Sequence, residues 1–329
     1  MNPRTVIAQT LRTSARVLII CHLGPDGDCV GAALALRLAL QRLGIAAVVA
    51  SADGVPASLR FLPGAGEIVT TVPDEEAADV AVTMECSSLD RAGALEGAVR
   101  RARTIVAIDH HADLEPYAHL VDWDRGAAAV GEQVADLIER LGVPMNRALA
   151  LCLLTALVTD TGVFRYTNAT ARALRLAAHL VDRGATVHEI VRAVYEGQPP
   201  SSLRLLGHAL AGLSLHGGGA IATTVITPGM LAASGAAAEE TSGIAAMLRT
   251  VAGVLVAMTF EESGDRVRVS IRSRDGVRAD RIARTLGGGG HPAAAGAEVR
   301  GGLDETVQVA LDAAAREIET VRHGAPAER

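Results

Sequence analysis

The sequence predicts an α/β protein of two domains, an N-terminal one on a parallel sheet and a smaller C-terminal α/β one with a mixed sheet. Three observations carry that prediction. Apolar β-like runs alternate with helix-period stretches through the first two-thirds of the chain, the pattern of a parallel sheet covered on both faces. Glu196-Gly-Gln-Pro-Pro-Ser-Ser202, with two prolines and small polar neighbours, then interrupts the order. Beyond it the character changes, with strand-like runs interleaved among helices. Domains are expected at 1–195 and 204–329, joined by a linker at 196–203, and 329 residues leave room for a core in each.

A short amphipathic helix opens the chain, and Arg16-Val-Leu-Ile-Ile-Cys21 is the first strand. A helix over 29–43 follows, with Leu34 and Leu38 at helical spacing and Gly44 as its stop. Strands are expected at 46–51, 79–84 and 104–108, then helices at 127–141, 145–158, 169–183 and 186–195. In the second domain the expected strands are 211–216, 219–226, 253–260 and 265–272, with helices near 240–249, 278–286 and 304–322. Residues 324–329 read as a frayed tail.

Composition narrows the function classes. The chain is 49% hydrophobic but 2% aromatic, so Ala, Val, Leu and Ile must build its cores. A net charge of −6 argues against gripping long nucleic acid, which wants a broad basic footprint. It leaves room for a small phosphorylated ligand, because bound divalent ions would bring positive charge where it is needed. Cys21, Cys29, Cys86 and Cys152 form no CxxC pair and read as free thiols of a reducing cytosol. Without a signal-peptide pattern, and with its longest apolar stretch (148–158) too short for a bilayer, the chain is expected to be cytoplasmic and independent of membranes.

Two stretches carry the chemistry. His22-Leu-Gly-Pro-Asp26-Gly-Asp28 and Asp109-His110-His111 each follow a β-like run, and strand tips are where open α/β sheets place their sites. The strand over 79–84 leads into an acid, Glu85, and Leu157-Val-Thr-Asp160 puts another at the end of an apolar helix. Each has a plainer explanation alone: Asp26 and Asp28 as turn or capping residues, His110-His111 as a hydrogen-bonded pair, Glu85 as a strand-end charge. Together they hold too much charge for one ion and point to a pair of divalent cations, hence phosphate-ester hydrolysis. Imidazole with carboxylate suits Mn²⁺, Fe²⁺, Co²⁺ or Zn²⁺ more than Mg²⁺ alone. Arg165 is a candidate substrate contact, and Arg91 either an ion partner or a phosphate ligand. Gly287-Gly-Gly-Gly-His291 is either a flexible connector or a backbone nest for an anion, with Arg272 and Ser273 as further phosphate partners.

HxxxDxD after a first strand, an acid after a later one, the DHH tripeptide and a TDTG-type Asp resemble the DHH phosphoesterases. Val269-Ser-Ile-Arg272-Ser273 followed by GGGGH resembles their DHHA1 domain, and the likeness covers residues 5–320. The type it resembles is the stand-alone nanoRNase/pAp-phosphatase, without the extra domains of the RecJ exonucleases or the sensor segments of the cyclic-di-AMP phosphodiesterases. The resemblance implies that His22 and Asp26 bind one metal and Asp28, His110 and Asp160 the other, with residue 85 bridging. His111 would face the scissile phosphate and Asp109 would orient its neighbours. It further implies two ions, most simply Mn²⁺ with Mg²⁺, Co²⁺ or Fe²⁺ as alternatives, held by the first domain in a cleft against the second. Glycines Gly288, Gly289 and Gly290 with His291, Arg272 and Ser273 would clamp the substrate. Expected substrates are nanoRNA, pAp and linear dinucleotides such as pApA, not long nucleic acid, and family members often form homodimers. The bridging position is normally Asp; Glu85 adds a methylene, about 1.5 Å of reach. That departure keeps open a catalytically weak nucleotide sensor, alongside a pyrophosphatase or polyphosphatase built on the same metal core.

Overall fold

The computed structural model describes residues 2–73, 77–241 and 243–323, apart from the side chains of Glu239 and His291. The expected tail at 324–329 lies outside the described residues. The chain divides into two compact units, Met1–Gly197 and Gln198–Arg329.

The first unit carries a five-stranded, all-parallel sheet. Its strands are β1 (Arg16–Cys21), β2 (Ala46–Ala50), β3 (Val80–Met84), β4 (Thr104–Asp109) and β5 (Leu120–Trp123), in the spatial order β2-β1-β3-β4-β5. Alternate residues serve opposite faces, as the pleat requires. Val17, Ile19, Val82, Met84, Val106 and Ile108 enter the larger core, while Leu18, Ile20, Ala81 and Ile105 enter a smaller one on the other side. Helices α1 (Pro3–Arg12), α2 (Gly27–Arg42), α4 (Val130–Arg140) and α5 (Arg147–Asp160) fill the larger core, and α3 (Glu96–Arg101) with the turns before it covers the smaller. Helices α6 (Ala171–Asp182) and α7 (Val187–Val194) complete this unit.

The second unit opens with α8 (Pro200–Ala211), so part of the 196–203 stretch expected to be linker is helical. Pro200 at its first position explains this, because a helix start needs no N–H there. Its sheet comprises β6 (Ser214–His216), β7 (Ile221–Ile226), β8 (Val256–Ser263), β9 (Arg266–Ser273), β10 (Gly289–His291) and β11 (Ala294–Arg300). The order is β10-β11-β9-β8-β7-β6, mixed because only β7 and β8 run parallel. Helices α11 (Ala279–Thr285) and α12 (Leu303–Arg322) cover one face around Met258, Phe260 and Ile271. Helices α8, α9 (Pro228–Ser234) and α10 (Ile244–Leu248) pack on the other. The four cysteines are free and buried, and among the described residues no helix is long and apolar enough to cross a membrane.

Candidate dimetal site

The chain leaves β1 for β2 on one side and returns to β3 on the other, so the sheet's topological switch point lies between β1 and β3. Cys21 pairs with Met84 and Met84 with Ile108, so these parallel strands end level. His22, Glu85 and Asp109 therefore emerge side by side, with His110 and His111 directly after. Asp26 caps α2, its Oδ1 accepting the N–H groups of Asp28 (3.1 Å) and Cys29 (3.0 Å). Asp28, 1% exposed, accepts from Val130 N–H (2.6 Å) and Gly131 N–H (2.9 Å) at the start of α4, where a carboxylate suits the helix dipole.

Glycines set how closely these helices approach. A Cβ on Gly31 of α2 would lie 2.4 Å from the Cys152 carbonyl oxygen in α5, and one on Gly131 of α4 would lie 2.6 Å from the Ala156 Cβ. At Gly27 it would meet Thr159 within 2.5 Å. With backbones this close, Asp28 at the start of α2 and Asp160 at the end of α5 converge on His110.

Two triads result, His22–Asp26–Glu85 and Asp28–His110–Asp160, and a third grouping of Glu85, His110 and His111 joins them. His22 Nε2 lies 3.9 Å from Asp26 and 3.7 Å from Glu85, while His110 Nε2 lies 4.0 Å from both Asp28 and Asp160. These gaps are too long for hydrogen bonds. In the cluster, an oxygen acceptor lies at each histidine Nδ1: the Leu23 carbonyl for His22 (2.7 Å), the Ala127 carbonyl for His110 (3.2 Å) and Asp109 Oδ1 for His111 (2.6 Å). With Nδ1–H donating, as at His110 and His111, Nε2 keeps its lone pair for a cation. Glu85 Oε1 and His110 Nε2 are buried without a hydrogen-bond partner, which a native structure rarely tolerates unless something else binds there.

The electrostatics point the same way. Burial, then the charges of Asp28 and Asp26, push the Glu85 carboxyl well above the usual carboxylate range. Burial and Asp28 lift Asp160 to about 8. Burial alone would lower His110, but Asp28 and Asp160 outweigh it and raise it. Acids packed this closely raise one another unless positive charge lies between them, and the donor chemistry of the cluster fits two divalent ions. Asp109 behaves oppositely: burial is outweighed by its hydrogen bonds to His111 and the His111 charge, and its carboxyl is lowered.

The remaining sequence candidates lie around this cluster or in the second unit. Arg165 is exposed and donates to the Gly162 carbonyl (2.7 Å). Arg91 Nη2 is 3.1 Å from His22 Nδ1, and its carbonyl accepts the Leu23 N–H, pinning the loop ahead of α2. In the second unit, Arg272 and Ser273 end β9. Ser273 is wholly buried, its hydroxyl donating to the Val277 carbonyl (2.6 Å) beside that of Pro292, so it braces the turn. Gly289, Gly290 and His291 form β10, paired antiparallel with β11. Gly288 donates to Ala283, and Cβ atoms at Gly288 and Gly290 would strike the β11 backbone. The side chain of His291 lies outside the described residues.

Three residues at the site carry contacts that the sequence does not signal. Asn168 donates its amide to Asp160 and to the Ala128 carbonyl; a lone Asn in a polar turn carries no motif. Tyr117 donates to the Cys86 carbonyl (2.7 Å), and Trp123 Nε1–H donates to the His111 carbonyl (2.7 Å). The usable signal for Trp123 was its rarity, since the chain has one Trp.

Fold and site define a class: a two-unit α/β protein with a carboxylate–imidazole cluster at parallel strand tips, suited to two cations. Residues 16–157 match the DHH family N-terminal domain and residues 218–320 the DHHA1 domain. The chain belongs to the DHH–DHHA1 family. The bifunctional oligoribonuclease and PAP phosphatase NrnA of Thermus thermophilus is 34% identical, over 95% of this chain and 94% of that protein. The Bacillus subtilis protein of the same description is 26% identical over 90% of this chain and 93% of its own length. An exopolyphosphatase-related protein from Bacteroides fragilis shares the fold, with a TM-score of 0.90, 23% identity and 97% of each chain covered.

Proposed function

We propose that this protein is a metal-dependent phosphoesterase that hydrolyses short oligoribonucleotides, including pApA, and removes the 3′-phosphate of pAp. The two donor triads joined through Glu85 and His110 carry the reading, and the full-length relatives described as oligoribonucleases and PAP phosphatases support its substrate class. His22, Asp26 and Glu85 would hold one divalent cation and Asp28, His110 and Asp160 the other, with Glu85 reaching toward both and Mn²⁺ as the expected ion. Such a pair supplies an activated water and offsets phosphate charge. His111, its Nδ1–H fixed by Asp109, presents Nε2 to the scissile phosphate, and Arg165 adds a fork for its oxygens. Arg272, the backbone of Gly288, Gly289 and Gly290, and His291 bind the rest of the substrate, with Ser273 bracing their loop. A cytoplasmic setting and a homodimer belong to the same reading.

The test is turnover by metal-stripped protein with Mn²⁺, Mg²⁺ or nothing added back. Substrates are pAp, pApA, a five-nucleotide RNA, a long RNA and pyrophosphate. Mn²⁺-dependent loss of the short nucleotides, abolished in Asp26→Ala, is the expected result. Hydrolysis of pyrophosphate alone would replace this reading with a pyrophosphatase, and binding without turnover would replace it with a sensor.

A further inference from the structure

The chain has one Trp, three Tyr and three Phe. Phe260 is buried in the second unit, and Phe61 and Phe164 pack against the larger core of the first. The exposed aromatics are Trp123 (44%), Tyr166 (40%) and Tyr195 (40%). Trp123 is bonded to His111. The Tyr166 ring lies over Gly162, two residues past Asp160, so close that a Cβ there would be 2.3 Å from it. Burial raises the Tyr195 phenol, with Tyr166, Asp160 and Asp26 adding to the effect against Arg165. A chain so poor in aromatics has left its exposed ones around a single site.

Trp123 is the most defined of them. It is the last residue of edge strand β5, paired with Asp109 on β4. Its indole is anchored by the bond from Nε1 to the His111 carbonyl, and the Arg125 guanidinium sits 5.8 Å from the ring centroid. Anchoring one edge of the ring explains its orientation but not why so much of an apolar surface stays in water. A held, flat, half-exposed π-surface beside a phosphate-cleaving centre is what base stacking uses, and a cation over an indole reinforces it.

We infer that Trp123 is the stacking surface for a nucleobase of the substrate, making the protein selective for base-bearing phosphates over inorganic or sugar phosphates. The inference rests on the nucleotide reading above and deepens it. Tyr166 and Tyr195, on the Asp160 side, offer further ring surface to a second base.

The single Trp is its own reporter. Mg²⁺-loaded protein is titrated with AMP and, separately, with ribose 5-phosphate, following indole fluorescence. AMP should quench it and ribose 5-phosphate should not. Steady-state pAp hydrolysis is then compared for wild type, W123F and W123L. Losing a base–aromatic stack should raise KM in W123L by about 5- to 150-fold with little change in kcat. W123F keeps a ring but loses the bond to His111, so it should raise KM much less. If the indole served only to hold the His111 loop, both variants would lower kcat alike and leave KM unchanged. That result, or equal quenching by ribose 5-phosphate, would overturn the inference while pAp turnover by wild type kept the nucleotide reading intact. Absence of nucleotide turnover and of AMP binding in wild type would remove both.

Discussion

Replacing Glu85 by Gln should reverse the order of stability of the two proteins according to whether metal is present. Glu85 is 2% exposed, its Oε1 has no partner, and the charges of Asp28 and Asp26 crowd it. Its pKa is raised in the folded state, so its stabilising contribution is complete below the unfolded value of about 4.3 and is lost as pH rises through the folded value. Gln has no such dependence. In EDTA the two proteins should melt together near pH 4, and E85Q should melt higher near pH 8.5. An unsatisfied buried polar group costs about 1–3 kcal/mol, and a domain of this size moves by about 2–4 °C per kcal/mol, so the gap should be roughly 2–12 °C. With Mn²⁺ at a hundredfold over Kd, each bound ion adds about 2.7 kcal/mol to wild type, and E85Q forfeits most of the gain at the ion it no longer charges. Differential scanning calorimetry with and without Mn²⁺ reads both arms. E85Q melting below wild type in EDTA at every pH would refute the reasoning, because it would mean the protein itself satisfies the Glu85 carboxylate.

Gly31→Ala should destabilise by about 1–3 kcal/mol in chemical denaturation, since the Cys152 carbonyl cannot move aside without shifting α5. It should also weaken Mn²⁺ binding in calorimetry by parting Asp28 from Asp160, whereas Gly66→Ala, with open space around its Cβ, should do neither. Asp109→Asn should slow turnover by about 10- to 100-fold while Mn²⁺ binding persists, because Asp109 orients His111 and lies outside both triads. Unchanged turnover would show that His111 needs no such support.

The pattern of apolar runs located β1, β3 and β4 to within a residue or so, because buried parallel strands are nearly continuous runs of Val, Ile and Ala. The acids and histidines at their tips were readable for the same reason: they break those runs abruptly. Edge strand β5 escaped, being four residues long with an acid inside it. The β10–β11 hairpin was hidden because Gly287–Gly290 has no side-chain pattern; its pairing depends on contacts with β11 that only Gly permits. Pro199-Pro200 reads as an interruption in the sequence but in the structure starts helix α8. That Asp26 both caps α2 and sits in a triad was unreadable too, since the sequence offered those roles as alternatives and the geometry unites them.

The triads draw on residues from His22 to Asp160, and every one of them precedes the boundary at Gly197. A growing chain therefore holds all the donors before the second unit has been made. Domains generally fold as units, N-terminal first, during synthesis. The first unit thus contains every donor of both triads while the chain is still tethered to the ribosome, and an ion bound there would tie α5 to α2 ahead of the sheet that follows. A nascent chain stalled before α5, at residue 146 or earlier, lacks Asp160 and can complete one triad but not the other. The donor set of the metal site is on this account complete before the second unit exists.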